Sequence, residues 1–315
     1  MTAVSAEEQL WDLLRGGLAT RAVALAADLG LADALAPGPR SVADLSGELD
    51  ADADVLRRLL RTLASEDVFA EEAPDVFRNT EASELLRRGW GAYAHLFGGP
   101  WLSAVGALDA SGRASFAAVF DTDHWSWLAA NPDERAAFDR AMELGNDERV
   151  ERLAGLNWRG DETVVDVGGG NGSLLRGLLE RHPGLRGIVF DLPEARRDES
   201  SFGNHCTFVE GSFFERVPAG DVYVLSGVLH NWDDEAAAQI LRTIRAHARP
   251  DSRLILLDAV LPGDGKSHWA RWLDLLVLAL YAGRERAEAQ WRSLLAAGGF
   301  EPVRIEEGVI EARCR

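Results

Sequence analysis

The sequence predicts an α/β protein in two parts: a mostly helical N-terminal module, then a domain on a mostly parallel sheet with an antiparallel edge. Three observations carry this reading. Apolar residues recur at helical spacing through most of the first 160 positions, and from residue 163 short apolar runs alternate with amphipathic stretches. The chain then closes on two adjacent β-like runs, Phe300 to Ile305 and Val309 to Ala312. At 315 residues and 47% hydrophobic content, it is long enough for more than one core.

Taken in order, residues 7 to 35 place Leu10, Leu14, Leu18, Val23, Leu25, Leu29 and Leu31 at helical spacing. Ser41 is expected to cap a short helix to Leu49, and a second helix from about Asp52 carries Val55, Leu56, Leu59, Leu60 and Leu63. Val68 to Ala70 and Val76 to Arg78 read as a hairpin around Glu71 to Asp75. Helix, helix, hairpin is the winged-helix order, which in an acidic chain points to a scaffold or dimer contact rather than a DNA reader. Residues 84 to 160 read as helical and aromatic-rich, with Trp90, Tyr93, Phe97, Trp101, Phe116, Phe120, Trp125, Trp127 and Phe138. Most of these rings are expected in the core, and some to wall a pocket for a flat ligand.

The second half reads as a strand at Thr163 to Val167, a glycine turn, a helix to Arg181, and strands ending at Asp191, Glu210 and Ser226. A helix from Asp233 to His247, a strand from Arg253 to Ala259, and helices from His268 to Ala282 and Arg286 to Ala297 complete it. The expected division is an N-terminal module over 1–95, a helical linker contributing to a pocket over 96–160, and a ligand-binding α/β domain over 161–315.

Charge narrows the partners. The 33 Lys and Arg against 51 Asp and Glu give a net charge of −18, which disfavours phosphate backbones and anionic membranes. The two cysteines, Cys206 and Cys314, suggest neither a disulfide framework nor a thiolate metal site, and the seven histidines have no HExxH spacing, so no metal is expected. Glu7 and Glu8 stand where a signal peptide needs basic residues, and the longest apolar run, Leu275 to Tyr281, is too short to span a bilayer. A cytoplasmic protein is expected. Leu10, Leu14, Leu18 and their neighbours form more apolar surface than one small module readily buries, which points to a homodimer.

The motif Asp166-Val-Gly-Gly-Gly-Asn-Gly-Ser173 joins a buried strand to a helix. A dinucleotide fingerprint needs a third glycine or alanine at 173, where Ser173 stands. Glycines at 168, 170 and 172 instead suit the amino-acid end of S-adenosylmethionine, which has no pyrophosphate. Asp191, 19 residues beyond Gly172, is placed to accept both ribose hydroxyls of a nucleoside. Leu229-His230-Asn-Trp-Asp-Asp-Glu235 follows another strand end, where open α/β sheets bind ligands. His230 is therefore a candidate general base, and Trp232 a ring to stack on adenine. Asp233, Asp234 and Glu235 are accounted for by a helix first turn. Gly265-Lys266-Ser267 lacks the first glycine of a phosphate loop, and no G-x-S-x-G elbow exists, so neither an ATP site nor an esterase is expected.

In these residues the chain resembles the plant-type small-molecule O-methyltransferase family, including bacterial members that decorate aromatic secondary metabolites. The motifs match in order at Asp166 to Gly170, Phe190 to Pro193, Gly211 to Phe214, Leu229 to Trp232 and Gly283 to Arg286. The resemblance implies a Rossmann-like class I methyltransferase domain behind a dimerisation module. It implies S-adenosylmethionine held by Gly168 and Gly170 at its amino-acid end, by Asp191 at its ribose, and by Phe213 and Trp232 flanking adenine. Ser212 and Ser226, also candidate cofactor contacts, stand where the family usually has Asp and where plant members have Lys. The resemblance further implies His230 as base, Asp258 and Glu285 as the acids that orient it, and Met142 near the pocket methionine. Trp125, Trp269 and Asp274 are further candidates for binding a hydroxylated aromatic acceptor. Two alternatives stay open at this point: a relative with the same cofactor performing decarboxylation or hydroxylation, and a ligand-responsive winged-helix regulator.

Overall fold

A computed structural model describes residues 5–196 and 205–315. The chain forms two compact units, one of Met1–Gly106 with Asn131–Leu144 and the other of Ala107–Ala130 with Gly145–Arg315. The stretch 96–160, expected as a separate linker, is thus shared between the two.

The first unit opens with α1 (Ala6–Asp28), started by a reciprocal cap in which Ser5 and Glu8 bond each other's backbone N–H. There follow α2 (Leu31–Ala34), β1 (Arg40–Ser41), α3 (Val42–Leu49) and α4 (Ala53–Ala64). Ser41 caps α3 as the sequence predicts, and Asp52, read as the approximate start of the next helix, caps α4. The hairpin strands are β2 (Phe69–Ala73) and β3 (Val76–Asn79), so the turn is tighter than expected. β2 runs on because Glu71 pairs with Phe77 across the ladder, and the reversal falls at Pro74 and Asp75, the latter at φ 59°. β1 also pairs with β3, adding a strand that its two residues gave no pattern to reveal. Next come α5 (Glu81–Leu85), α6 (Gly91–Gly98) and α7 (Pro100–Gly106). The core gathers Leu31, Leu45, Leu56, Leu60, Phe69 and Phe77. α1 leaves Leu14 and Leu18 70% and 78% exposed, with Leu10 and Trp11 also exposed.

α8 (Ser115–Phe120) and α9 (His124–Ala130) belong to the second unit, α10 (Pro132–Met142) to the first, and α11 (Asn146–Ala154) again to the second. The sheet then builds through β4 (Thr163–Val167), α12 (Ser173–Arg181), β5 (Arg186–Asp191), β6 (Cys206–Glu210), β7 (Val222–Ser226), α13 (Asp234–His247) and β8 (Arg253–Leu257). After it come β9 (Val260–Leu261), α14 (Trp269–Tyr281), β10 (Arg286–Ala287), α15 (Glu288–Ala297), β11 (Phe300–Glu306) and β12 (Val309–Cys314). The seven-stranded order is β11-β12-β8-β7-β4-β5-β6, with β4 to β8 parallel and β12 antiparallel to both neighbours. From β4 the chain winds outward through β5 and β6, then returns to β7 and winds the other way. The strand order therefore reverses between β4 and β7, and ligands bind open α/β sheets at the carboxyl edge of such a reversal. No described helix is long and apolar enough to cross a membrane.

Candidate active site

At that edge the chain leaves β4 through a turn in which Gly168, Gly170 and Gly172 all have positive φ, at 73°, 57° and 76°. The conformation favours glycine at each G-x-G-x-G position. Space adds a second requirement at Gly168, where a Cβ would lie 2.8 Å from Val228 Cγ2, whereas one at Gly170 would meet nothing within 4 Å. The turn thus exposes backbone to an open side. Its register is held by Asp191 at the end of β5. One carboxylate oxygen accepts the Gly170 N–H at 2.7 Å and the other the Leu192 N–H at 2.7 Å. Beneath lies Asp166, buried, with Oδ2 lacking a hydrogen-bond partner among the described residues. Burial, with the charge of Asp191 adding and Arg149 opposing, pushes its carboxyl up to about 7.

Phe213 and Trp232 sit on the loops after β6 and β7, with ring centroids 6.0 Å apart and planes at 85°. They form an edge-to-face pair. Phe214 packs closer to Trp232, at 4.8 Å and 84°. The Ser212 hydroxyl accepts the Phe214 N–H at 3.3 Å and so shapes the turn that presents these rings. Ser226 ends β7, in register with Leu257.

His230 stands on a single 3-10 turn, Leu229–Asn231. Its side chain is 16% exposed, while those of Asp258 and Glu285 are wholly covered. Nδ1 lies 2.6 Å from Glu285 Oε1 and 3.8 Å from Asp258 Oδ1. Two residues far apart in sequence meet here because β9 and β10 pair in parallel, Val260 with Arg286 and Leu261 with Ala287. That ladder sets Asp258 beside Glu285, and it explains why α15 begins at Glu288 and not at Arg286. Burial opposes a charge on His230, but the bond to Glu285 and the field of Asp258 outweigh it, so its pKa lies above the ordinary value despite Arg286. Burial pushes Asp258 up to about 7, with Glu285 adding and His230 opposing.

The acceptor-binding candidates divide. Asp274 Oδ1 accepts the Glu285 N–H at 2.7 Å, so it anchors the acid that orients the histidine. Trp125 stacks on Tyr281 at 5.3 Å and 14°, joining α9 to α14 in a flat aromatic wall. Trp269 is 58% exposed at the start of α14, and Trp272 and Leu275 extend its exposed apolar face; the sequence marked Leu275 only as the start of an apolar run and Trp272 not at all. Met142 ends α10, in the other unit. Sequence reasoning also missed Arg286, a buried cation whose only signal was its place in the Gly283 to Arg286 run.

A glycine turn open at the sheet's reversal point, with a histidine bonded to the buried Glu285 at the same edge, has the form of a site for a nucleoside-type cofactor. Residues 103–301 match the O-methyltransferase domain model, and 11–89 match the O-methyltransferase dimerisation domain model. The chain is 33% identical to the phenazine O-methyltransferase PhzM of Lysobacter antibioticus, over 96% of this chain and 93% of that protein. It is 36% identical to 3-amino-4-hydroxybenzoate 4-O-methyltransferase of Streptomyces cremeus, over 94% and 86%. A crystal structure of the O-methyltransferase NcsB1 of neocarzinostatin biosynthesis, in complex with S-adenosyl-L-homocysteine and 1,4-dihydroxy-2-naphthoic acid, has a TM-score of 0.80. That likeness spans 94% of this chain and 96% of that one, at 30% identity. The chain belongs to the O-methyltransferase family, in its bacterial secondary-metabolite branch, and is a methyltransferase enzyme.

Proposed function

We propose that this enzyme transfers a methyl group from S-adenosylmethionine to a hydroxyl of a small aromatic molecule, with His230 as general base. The observation that carries the reading is the His230–Glu285 pair. With Nδ1–H donating to Glu285, the lone pair of the neutral ring is on Nε2, ready to accept a proton. Gly168 and Gly170 would hold the cofactor's amino-acid end, Asp191 its ribose, and Trp232 with Phe213 its adenine. Bound there, the cofactor supplies a methyl group already activated by its sulfonium.

The chain's own residues then have two tasks: to align the acceptor oxygen and to remove its proton. A phenol of pKa about 10 is only about one-thousandth ionised at pH 7, so a neutral imidazole beside it matters. As Nε2 takes the proton, Glu285 bonds the developing imidazolium at Nδ1, with Asp258 3.8 Å from the same nitrogen. The aromatic wall of Trp125 and Tyr281, with the exposed face of Trp269 and Trp272, supports a flat acceptor. Asp274 contributes through Glu285. Ser212 and Ser226 complete the cofactor's surroundings. The enzyme works as a homodimer, supported by the dimerisation model and the exposed face of α1.

The test is a screen of hydroxylated aromatics with isotopically labelled methyl donor, paired with calorimetry of S-adenosylhomocysteine. The reading expects label on oxygen and cofactor binding independent of acceptor. Cofactor binding with no methylated product across phenols and naphthols would contradict the acceptor class; no binding at all would contradict the cofactor.

A further inference from the structure

Arg286 is fully buried, yet its guanidinium is committed to the turn that carries the base. Nη1 donates to Leu229 O at 2.9 Å and Nη2 to Trp232 O at 2.8 Å, so the two bonds bracket His230 along the chain. Nε donates to Asp234 Oδ1 at 2.9 Å, at the start of α13. The neighbours of Arg286 grip the same turn. Arg284 N–H donates to His230 O at 2.8 Å, and Glu285 holds His230 Nδ1. A Cβ at Gly283 would fall 2.1 Å from His230 O, so the two segments approach as closely as backbone allows.

Burying a guanidinium is costly, and an aliphatic side chain fills such a space with less desolvation. What an aliphatic chain lacks is donors. Within the turn Leu229 O otherwise accepts only the long bond from Trp232 N–H at 3.3 Å, and a planar fork can bond several carbonyls at fixed angles where an ammonium cannot. The arrangement therefore does more than fill volume: it sets the plane and height of the 229–232 turn.

We infer that Arg286 is a positioning residue for methyl transfer: it fixes the turn so that His230 Nε2 faces the acceptor hydroxyl while Glu285 holds Nδ1. The inference rests on the reading of His230 as base. Its competitor is an Arg286 that only supports the fold.

A double-mutant cycle separates the two. Single-turnover methyl transfer to an ordinary phenol, at saturating cofactor, is measured for Arg286→Lys, His230→Ala and the double variant, with S-adenosylhomocysteine affinity alongside. If Arg286 acts through His230, Arg286→Lys slows wild type by up to about 10²-fold, the cost of a misplacement near 1 Å. The same change then costs almost nothing once His230 is gone. Equal fold losses in both backgrounds overturn the inference, as does a wild-type rate for Arg286→Lys. A near-wild-type rate for His230→Ala would instead remove the base reading, and the inference with it. Should Arg286→Lys fail to fold, Asp234→Asn carries the test. Asp234 is exposed, and neutralising it loosens the same guanidinium. A smaller slowdown is expected, again lost in the His230→Ala background; its persistence there overturns the inference.

Discussion

At the scale of single residues, the site turns on which charge wins around His230. Burial penalises an imidazolium, but Glu285 at 2.6 Å and Asp258 at 3.8 Å raise the ring's pKa above its ordinary value, with Arg286 opposing. A base works in its neutral form, so activity falls as pH drops through that raised pKa. The acid limb of the rate is therefore expected above about 6.5, the ordinary histidine value. Glu285→Gln removes the largest contribution that raises it, and the limb should move to lower pH while the plateau rate falls less than on removing the imidazole. A pH profile of single-turnover transfer checks both; a limb that stays in place would separate Glu285 from the base. His230 was singled out because it follows a strand end, whereas Asp258 and Glu285 entered only through the family resemblance. The role of Asp274 was not legible, because its partner is a backbone N–H that tertiary structure brings to it.

Among the elements, those written by local pattern were read closely. β4 and β7 match their expected bounds, Ser41 caps the helix predicted for it, and Asp52 stands at the start of the next. Where a partner distant in sequence decides, the pattern was silent. β10 takes two residues from the expected start of α15 because β9 pairs with them, and β1 exists only through β3. The same logic makes α1 informative in the opposite sense: its apolar residues Leu10, Trp11, Leu14 and Leu18 remain exposed in one chain. An apolar face of this kind marks a contact with another molecule, and the dimerisation model begins at residue 11. Leu14→Glu with Leu18→Glu should leave the helix capped by Ser5 intact and convert the dimer to a monomer in sedimentation or light scattering. A double variant that remains dimeric at micromolar concentration would place the interface elsewhere.

For the whole molecule, the parallel sheet does the placing. Winding outward in both directions from β4 brings Gly168, Asp191 and Ser226 to one edge, and the β9–β10 ladder completes the group by setting Asp258 and Glu285 under His230. Much of this was readable because glycine spacing and strand ends are local signals. The shared allotment of 96–160 between two units was not, since helical periodicity does not say which core a helix joins. The claim on which the rest depends is proton removal by His230. Its most direct measurement is single-turnover methyl transfer by His230→Ala across acceptors of graded phenol pKa, with cofactor affinity held in view. The account predicts unchanged cofactor affinity and a loss of about 10² to 10⁴ for an ordinary phenol. The loss should shrink towards nothing for a hydroxyl already ionised at the assay pH. Near-wild-type rates for His230→Ala on every acceptor would contradict it, leaving alignment alone as the source of catalysis.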